Sequence, residues 1–208
     1  MRGIFVVLEG SDGSGKSTVV QALKKRFKEE GIDFLMSREP GGTPIAEKIR
    51  HLILDVDNKG MDYRCEALLY AASRADHSQR LLRPAVEEGK LVLSERYIVS
   101  SLAYQGVGRE LGIDQVLAIN SFATKGLEPD LVLFLDVDPI YVLERKGENF
   151  AQDRLEQEGH AFHQRVYEGY KKALSYVKNV VVIDGTMSKE EVVDACYKEI
   201  MQIWEKRI

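Results

Sequence analysis

The chain carries no basic run interleaved with aromatic residues, and its net charge is −4 over 208 residues. A nucleic-acid surface would normally show a positive patch, so no polynucleotide partner is expected. Nor is there an apolar stretch near the roughly 20 residues that a membrane-spanning helix needs. The run Ile4-Phe5-Val6-Val7-Leu8 is far shorter, and its flanks lack the layout of a secretory leader, so a cytoplasmic protein is expected. Cysteine is scarce. Cys65 and Cys196 stand far apart, outside any CxxC spacing, which argues against a disulfide framework or a cysteine metal site. Cys196 shares a helical face with Val192, Val193, Ile200 and Trp204 and reads as apolar filler. Low-complexity tracts, internal repeats and Pro/Gly/Ser linkers are missing too. With 44% apolar and 30% charged residues, global disorder is excluded, and a single domain over 1–208 is expected.

What is present alternates. Ile4–Leu8, Asp33–Met36, Leu91–Leu93, Leu131–Leu135 and Val180–Ile183 are almost continuously apolar, as strands covered on both faces are. Between them, helical patterns cover roughly 16–30, 43–54, 62–88, 113–124, 160–177 and 188–205. This order predicts an α/β fold with a parallel five-stranded sheet flanked by helices, and ligands at the carboxyl ends of the strands. Segment 144–158 breaks the pattern: it is charged and nearly free of aliphatic residues. It reads either as a solvated loop or helix start, or as a lid over the ligand edge.

The strongest motif is Gly10-Ser11-Asp12-Gly13-Ser14-Gly15-Lys16-Ser17, a complete GxxxxGK[ST] between a strand and a helix. Its glycines let backbone N–H groups turn inward on a phosphate, and the helix that follows adds its positive end. Lys16 supplies a point charge, Ser17 a hydroxyl for Mg²⁺, and Thr18 follows at the same helix start. Chance would produce such a string in about one chain of this length in a hundred. ATP or GTP binding is therefore expected, but the loop does not say where the phosphoryl group goes.

The acceptor side narrows the choice. Ser37-Arg38-Glu39-Pro40-Gly41-Gly42-Thr43, Tyr70-Ala71-Ala72-Ser73-Arg74, Ser94-Glu95-Arg96-Tyr97, Ser100-Ser101-Leu102-Ala103-Tyr104-Gln105-Gly106 and Asp153-Arg154-Leu155-Glu156 occur in order. Each is weak alone. Together with the loop they resemble the bacterial thymidylate kinases, in the order that family shows, over most of the chain. Tyr70 and Arg74 lie four apart on a predicted helix, where a ring and a guanidinium can stack a base and bond its exocyclic oxygen. Arg96 ends an apolar strand, a fitting place for bidentate capture of an acceptor phosphate. Glu39 either holds Arg96 and Arg50 in place, or touches the sugar, or is a helix-entry acid before Pro40.

The resemblance implies further roles. Arg50 would point toward the monophosphate, Ser101 and Gln105 toward the base, and Tyr104 toward the deoxyribose. Asp12 would face the sugar and acceptor phosphate. It also implies Mg²⁺ with ATP as donor, dTMP as acceptor, and a homodimer packed through helices. The stripe Leu68, Ala72, Ala75, Leu82 and Val86 would serve that contact, or else be core. Gly13 places the chain with family members whose extra positive charge sits in the lid. Two departures stand out. The lid shows Gly147 and Asn149 where arginines are usual, which leaves Arg145, Lys146 and Arg154 as candidates. Glu95 replaces the usual aspartate, and Glu-Arg there also resembles the deoxynucleoside kinases, which with other nucleoside monophosphate kinases are the alternatives within this fold. A nucleoside brings no phosphate for Arg50 and Arg96 to hold, which favours the monophosphate. No NKxD guanine reader supports a GTPase-like switch, and the intact Lys16 argues against a non-catalytic scaffold.

Overall fold

The five apolar runs become the five strands, and helices cover the sheet on both sides. The structure, a computed structural model, describes residues 2–146 and 153–207; the side chains of 143–146 lie outside that description. β1 (Ile4–Gly10) leads into α1 (Lys16–Glu29), β2 (Phe34–Arg38) and α2 (Pro44–Leu54). α3 (Tyr63–His77) passes through a π-helical turn (Ser78–Leu82) into α4 (Arg83–Glu87) and β3 (Leu91–Glu95). α5 (Ile98–Ser101) runs into a second π-helical turn (Leu102–Gly108), then α6 (Ile113–Thr124) and β4 (Leu131–Asp136). α7 (Pro139–Lys146), α8 (His160–Ala173), β5 (Val180–Asp184) and α9 (Lys189–Trp204) follow.

All strand pairs are parallel, in the order β2-β3-β1-β4-β5. Residues two apart on a strand share a face. Ile4, Val6, Leu8, Leu91, Leu93, Leu131, Leu133 and Leu135 accordingly pack against α1 and α9, with Cys196 among them. On the other face Phe5, Val7 and Val92 meet Leu82, Val86 and Tyr97, while Val132 and Phe134 meet α8 and the second π-helical turn. β1 is wholly buried between its neighbours, so its carboxyl end opens at the centre of one sheet edge.

Three helical expectations change. The single helix over 62–88 is interrupted ahead of Pro84, whose ring has no N–H and crowds the carbonyl four residues back; the ladder widens to a π-helical turn there. The helix over 160–177 ends at Ala173 and tightens to a 3₁₀ turn at Leu174–Tyr176. Residues 98–108, read without an element, are helical throughout. The apolar stripe on α3 and α4 divides: Leu82 and Val86 are core, whereas Leu68 and Ala72 are exposed.

Candidate active site

Chain direction brings both halves of the motif set to one edge. The turn after β1 starts at Gly10, where φ is +153° and a Cβ would lie 2.6 Å from Ser14 Oγ and 3.0 Å from Leu135 O. No side chain fits there. Residues 11–15 then wrap to the start of α1. Lys16 is buried, and its Nζ donates to Gly10 O at 3.0 Å and Ser11 O at 2.8 Å. Burial, with Arg96 nearby, lowers its pKa to about 7. The Ser11 and Ser14 hydroxyls are buried with no hydrogen-bond partner among the described residues.

β3 ends beside β1, with Glu95 paired in register to Leu8. Ser17 Oγ donates to the Glu95 carboxylate at 3.0 and 3.3 Å, so a hydroxyl and a carboxylate sit side by side at the loop. Arg96 takes a left-handed conformation, φ +69°, which is strained for a residue with a Cβ. That turn swings its guanidinium back over the loop. It donates to Gly10 O (3.1 Å), Ser100 Oγ (3.2 Å) and Tyr170 Oη (2.7 Å), and pairs with Asp12. Asp12 also accepts from Tyr104 Oη at 2.5 Å. Burial works against its ionisation, but Arg96 and then Lys16 outweigh this and hold its pKa at about 2. Behind Arg96, Glu9 is fully buried and accepts from Tyr97 N at 2.9 Å and Ser100 Oγ at 2.5 Å. Burial raises its pKa in spite of Ser100, Arg96 and Tyr97.

On the acceptor side Glu39 is buried and grips two partners of α3. Arg74 Nε donates to it at 2.6 Å, and His77 Nδ1 lies 2.9 Å from its other oxygen. A carboxylate only accepts, so His77 carries its proton on Nδ1, and in the neutral ring Nε2 accepts from Ser37 Oγ at 2.7 Å. Arg74 further donates to Ser101 Oγ and Tyr97 O, both at 2.9 Å, and to Asn120. Glu39 is thus more than a helix-entry acid, but the arginine it holds is Arg74; Arg50 donates to Pro40 O and Arg96 is held by Gly10, Ser100, Tyr170 and Asp12. Arg50 on α2 donates to Pro40 O at 2.8 Å; burial and then Arg38 lower its pKa, a shift that a bound anion would oppose.

One cleft of about 580 Å³ takes in both halves. From the loop side it is lined by Asp12, Gly13, Gly15, Lys16, Ser17 and Thr18. From the acceptor side it is lined by Glu39, Arg50, Tyr70, Arg74, Glu95, Arg96, Ser101, Tyr104 and Gln105. Gly10, Ser11 and Ser14 stand behind that lining. One expected residue with a described side chain is not brought in. Arg154 turns away: its NH2 donates to Glu66 at 2.6 Å and its Nε to Ile53 O at 2.8 Å, and a guanidinium is held best where a buried carboxylate meets it. Arg145 lies outside the described side chains, as does Lys146.

Sequence reasoning missed Leu54 in the lining, gave no role there to the motif residues Arg38, Pro40, Ser100, Asp153, Leu155 and Glu156, and missed Glu9, His77 and Asn120 behind it. His77 had a signal, since it lies three residues after Arg74 on the same helix face. Glu9 had none beyond being a charged residue at the end of an apolar run.

Comparisons with known proteins point to one family. A family model described as "Thymidylate kinase" matches residues 8–196. A protein of Finegoldia magna named "Thymidylate kinase" is 55% identical over 193 residues, covering 93% of this chain and 95% of its own. Proteins of the same name from Lactobacillus acidophilus and Enterococcus faecalis are each 49% identical, covering 100% and 97% of this chain and 98% and 97% of theirs.

Proposed function

The chain belongs to the thymidylate kinase family, and from that premise we propose how its own residues move the γ-phosphoryl group of ATP onto dTMP. The products are ADP and dTDP, a step toward dTTP. The observation that carries the reading is the Arg96 guanidinium, anchored between the phosphate loop and the acceptor half of one cleft.

Backbone N–H groups of residues 11–15 and Lys16 hold the donor phosphates. Arg96 and Arg50 hold the acceptor phosphate, so that one of its oxygens faces the γ-phosphorus in line with the leaving oxygen of ADP. That oxygen forms the new P–O bond as the bond to the β-phosphate oxygen breaks. The acceptor phosphate is already ionised near neutral pH, so no general base has to take a proton. Positioning and charge neutralisation carry the rate. Asp12 keeps Arg96 and Tyr104 in register, and Tyr104 packs where a ribose 2′-hydroxyl would stand. Tyr70 stacks the base, and Arg74, Ser101 and Gln105 bond its edge.

Ser17 Oγ beside the Glu95 carboxylate suits Mg²⁺, which takes oxygen ligands and keeps several waters. When bound, it neutralises charge on the donor phosphate oxygens. Glu95, one methylene longer than aspartate, reaches Ser17 from the end of β3.

The whole chain is one kinase domain, with 144–158 as a lid whose Arg145 or Lys146 supplies the remaining charge. Among the described residues no helix is long and apolar enough to cross a membrane. Both cysteines are free, which suits the cytoplasm. A homodimer would cover the exposed Leu52, Leu68 and Phe122 on the adjoining helices α2, α3 and α6. ADP release with a panel of acceptors tests the function. Turnover is expected with dTMP and little with thymidine or dCMP; turnover with thymidine but not dTMP would sink the reading.

A further inference from the structure

α3 buries a second carboxylate that the transfer step does not use. Glu66 has no exposed surface, which is costly for an anion unless it is paired. It is paired three ways. Gln105 Nε2 donates to its Oε1 at 2.9 Å, Arg109 bridges both its oxygens at 3.2 Å, and Arg154 NH2 reaches Oε2 at 2.6 Å. Arg109 also pairs with Glu158 at 2.6 Å and lies between the rings of Phe162 (4.4 Å) and Tyr63 (4.5 Å). Two carboxylates and two guanidiniums make the cluster neutral.

Three parts of the cleft wall meet at this cluster. Gln105 comes from the second π-helical turn. Leu54 ends α2, where Arg154 N donates to Leu54 O at 3.2 Å. Leu155, next to Arg154, faces the cleft from a third direction. On α3 itself Glu66 lies one turn before Tyr70 and two before Arg74, on the same helix face.

The chemistry of the contact sets the polarity of Gln105. A carboxylate accepts and never donates, so the amide nitrogen of Gln105 must face Glu66. The amide oxygen is then the atom left for a ligand, and Gln105 lines the cleft. An acceptor at that point matches the N3–H of thymine. It opposes cytosine, whose N3 carries a lone pair and no hydrogen.

We propose that Glu66 is a positioning residue for base selection, holding the Gln105 amide oxygen toward the base, with Arg109 and Arg154 keeping the anion in place. This rests on the cleft being the dTMP pocket. Arg154 then acts through the cluster and not on the phosphates.

The test is the ratio of kcat/KM for dTMP to that for dCMP. Glu66→Gln can donate as well as accept, which frees Gln105 to turn over. The ratio is expected to fall about tenfold or more, through the dTMP KM, with the ATP KM within about twofold. The double variant Glu66→Gln with Arg154→Gln restores neutrality around Arg109 and Glu158 and guards against failure to fold; it too should lose selectivity. Arg154→Lys should lower the ratio no more than Glu66→Gln does and act through the dTMP KM, whereas a phosphate-contacting Arg154 would lose kcat. On the wild-type protein, the Gln105 side-chain NH₂ resonances should stay hydrogen-bonded to a carboxylate with and without dTMP. An unchanged ratio in a folded Glu66 variant, or a Gln105 amide that turns its nitrogen to the base, would overturn the proposal. Absence of any wild-type turnover with dTMP would instead overturn the function it rests on.

Discussion

Lys16 sits in its loop with its ammonium on two carbonyls and Arg96 close by, and burial and that neighbour bring its pKa to about 7. Near neutral pH the free protein therefore holds a mixture of charged and neutral lysine. Donor phosphates favour the charged form, so binding raises this pKa toward the ordinary lysine value of about 10.4. Between those two values the complex binds more protons than the free protein. ATP binding should accordingly take up a proton and weaken as pH rises from 7.5 to 9, a range where the terminal phosphate is already ionised. Calorimetry in buffers of different ionisation heat measures the uptake directly; heats that ignore the buffer, with affinity flat across that range, would contradict it. Asp12 behaves oppositely. Arg96 and Lys16 hold it near 2 against burial, so it stays ionised through any pH at which the enzyme works. Residues like these were legible as candidates because their motifs are short and local. Their partners were not: that Arg74 is held by Glu39, Ser101 and Asn120 depends on segments far apart in sequence.

Where α8 crosses the second π-helical turn, the two backbones come unusually close. A Cβ at Gly169 would lie 2.9 Å from Ala103 O and 2.9 Å from Val107 Cβ. Glycine is what permits the contact, and α8 carries Tyr170, whose hydroxyl accepts from Arg96. The turn carries Tyr104, whose hydroxyl donates to Asp12. Gly169→Ala should push the elements apart, destabilise the fold by about 1–3 kcal/mol, and lower kcat/KM through both tyrosines. Thermal unfolding and steady-state kinetics on one preparation check this; a variant with wild-type stability would show that the contact can relax. The strands were readable as apolar runs because both faces of the sheet are covered. Residues 98–108 were not, since Gly106 and Gly108 lower helix propensity and only packing against α8 and α6 makes the segment helical. Pro84 was visible in the sequence, but a pattern of apolar residues runs on through a π-helical turn without a break.

The whole molecule is a parallel sheet whose carboxyl edge gathers the 10–17 loop, Arg96 and the residues of the proposed base pocket into one cleft. That much follows from βαβ order, because successive strands feed their loops to the same edge. Assembly does not follow from order. The homodimer proposed through the exposed Phe122, Leu68 and Leu52 predicts that the protein sediments as a dimer and that Phe122→Asp shifts it toward monomer; a profile unchanged by that substitution would contradict the proposed contact. The central claim is that ATP's γ-phosphorus moves onto an existing phosphate and not onto a hydroxyl. Phosphorus-31 NMR of a reaction holding ATP, Mg²⁺, dTMP and the protein observes this bond by bond. The account predicts dTDP and ADP appearing in equal amounts as dTMP disappears. ATP loss with dTMP untouched, or dTMP formed when thymidine takes its place in the reaction, would contradict it.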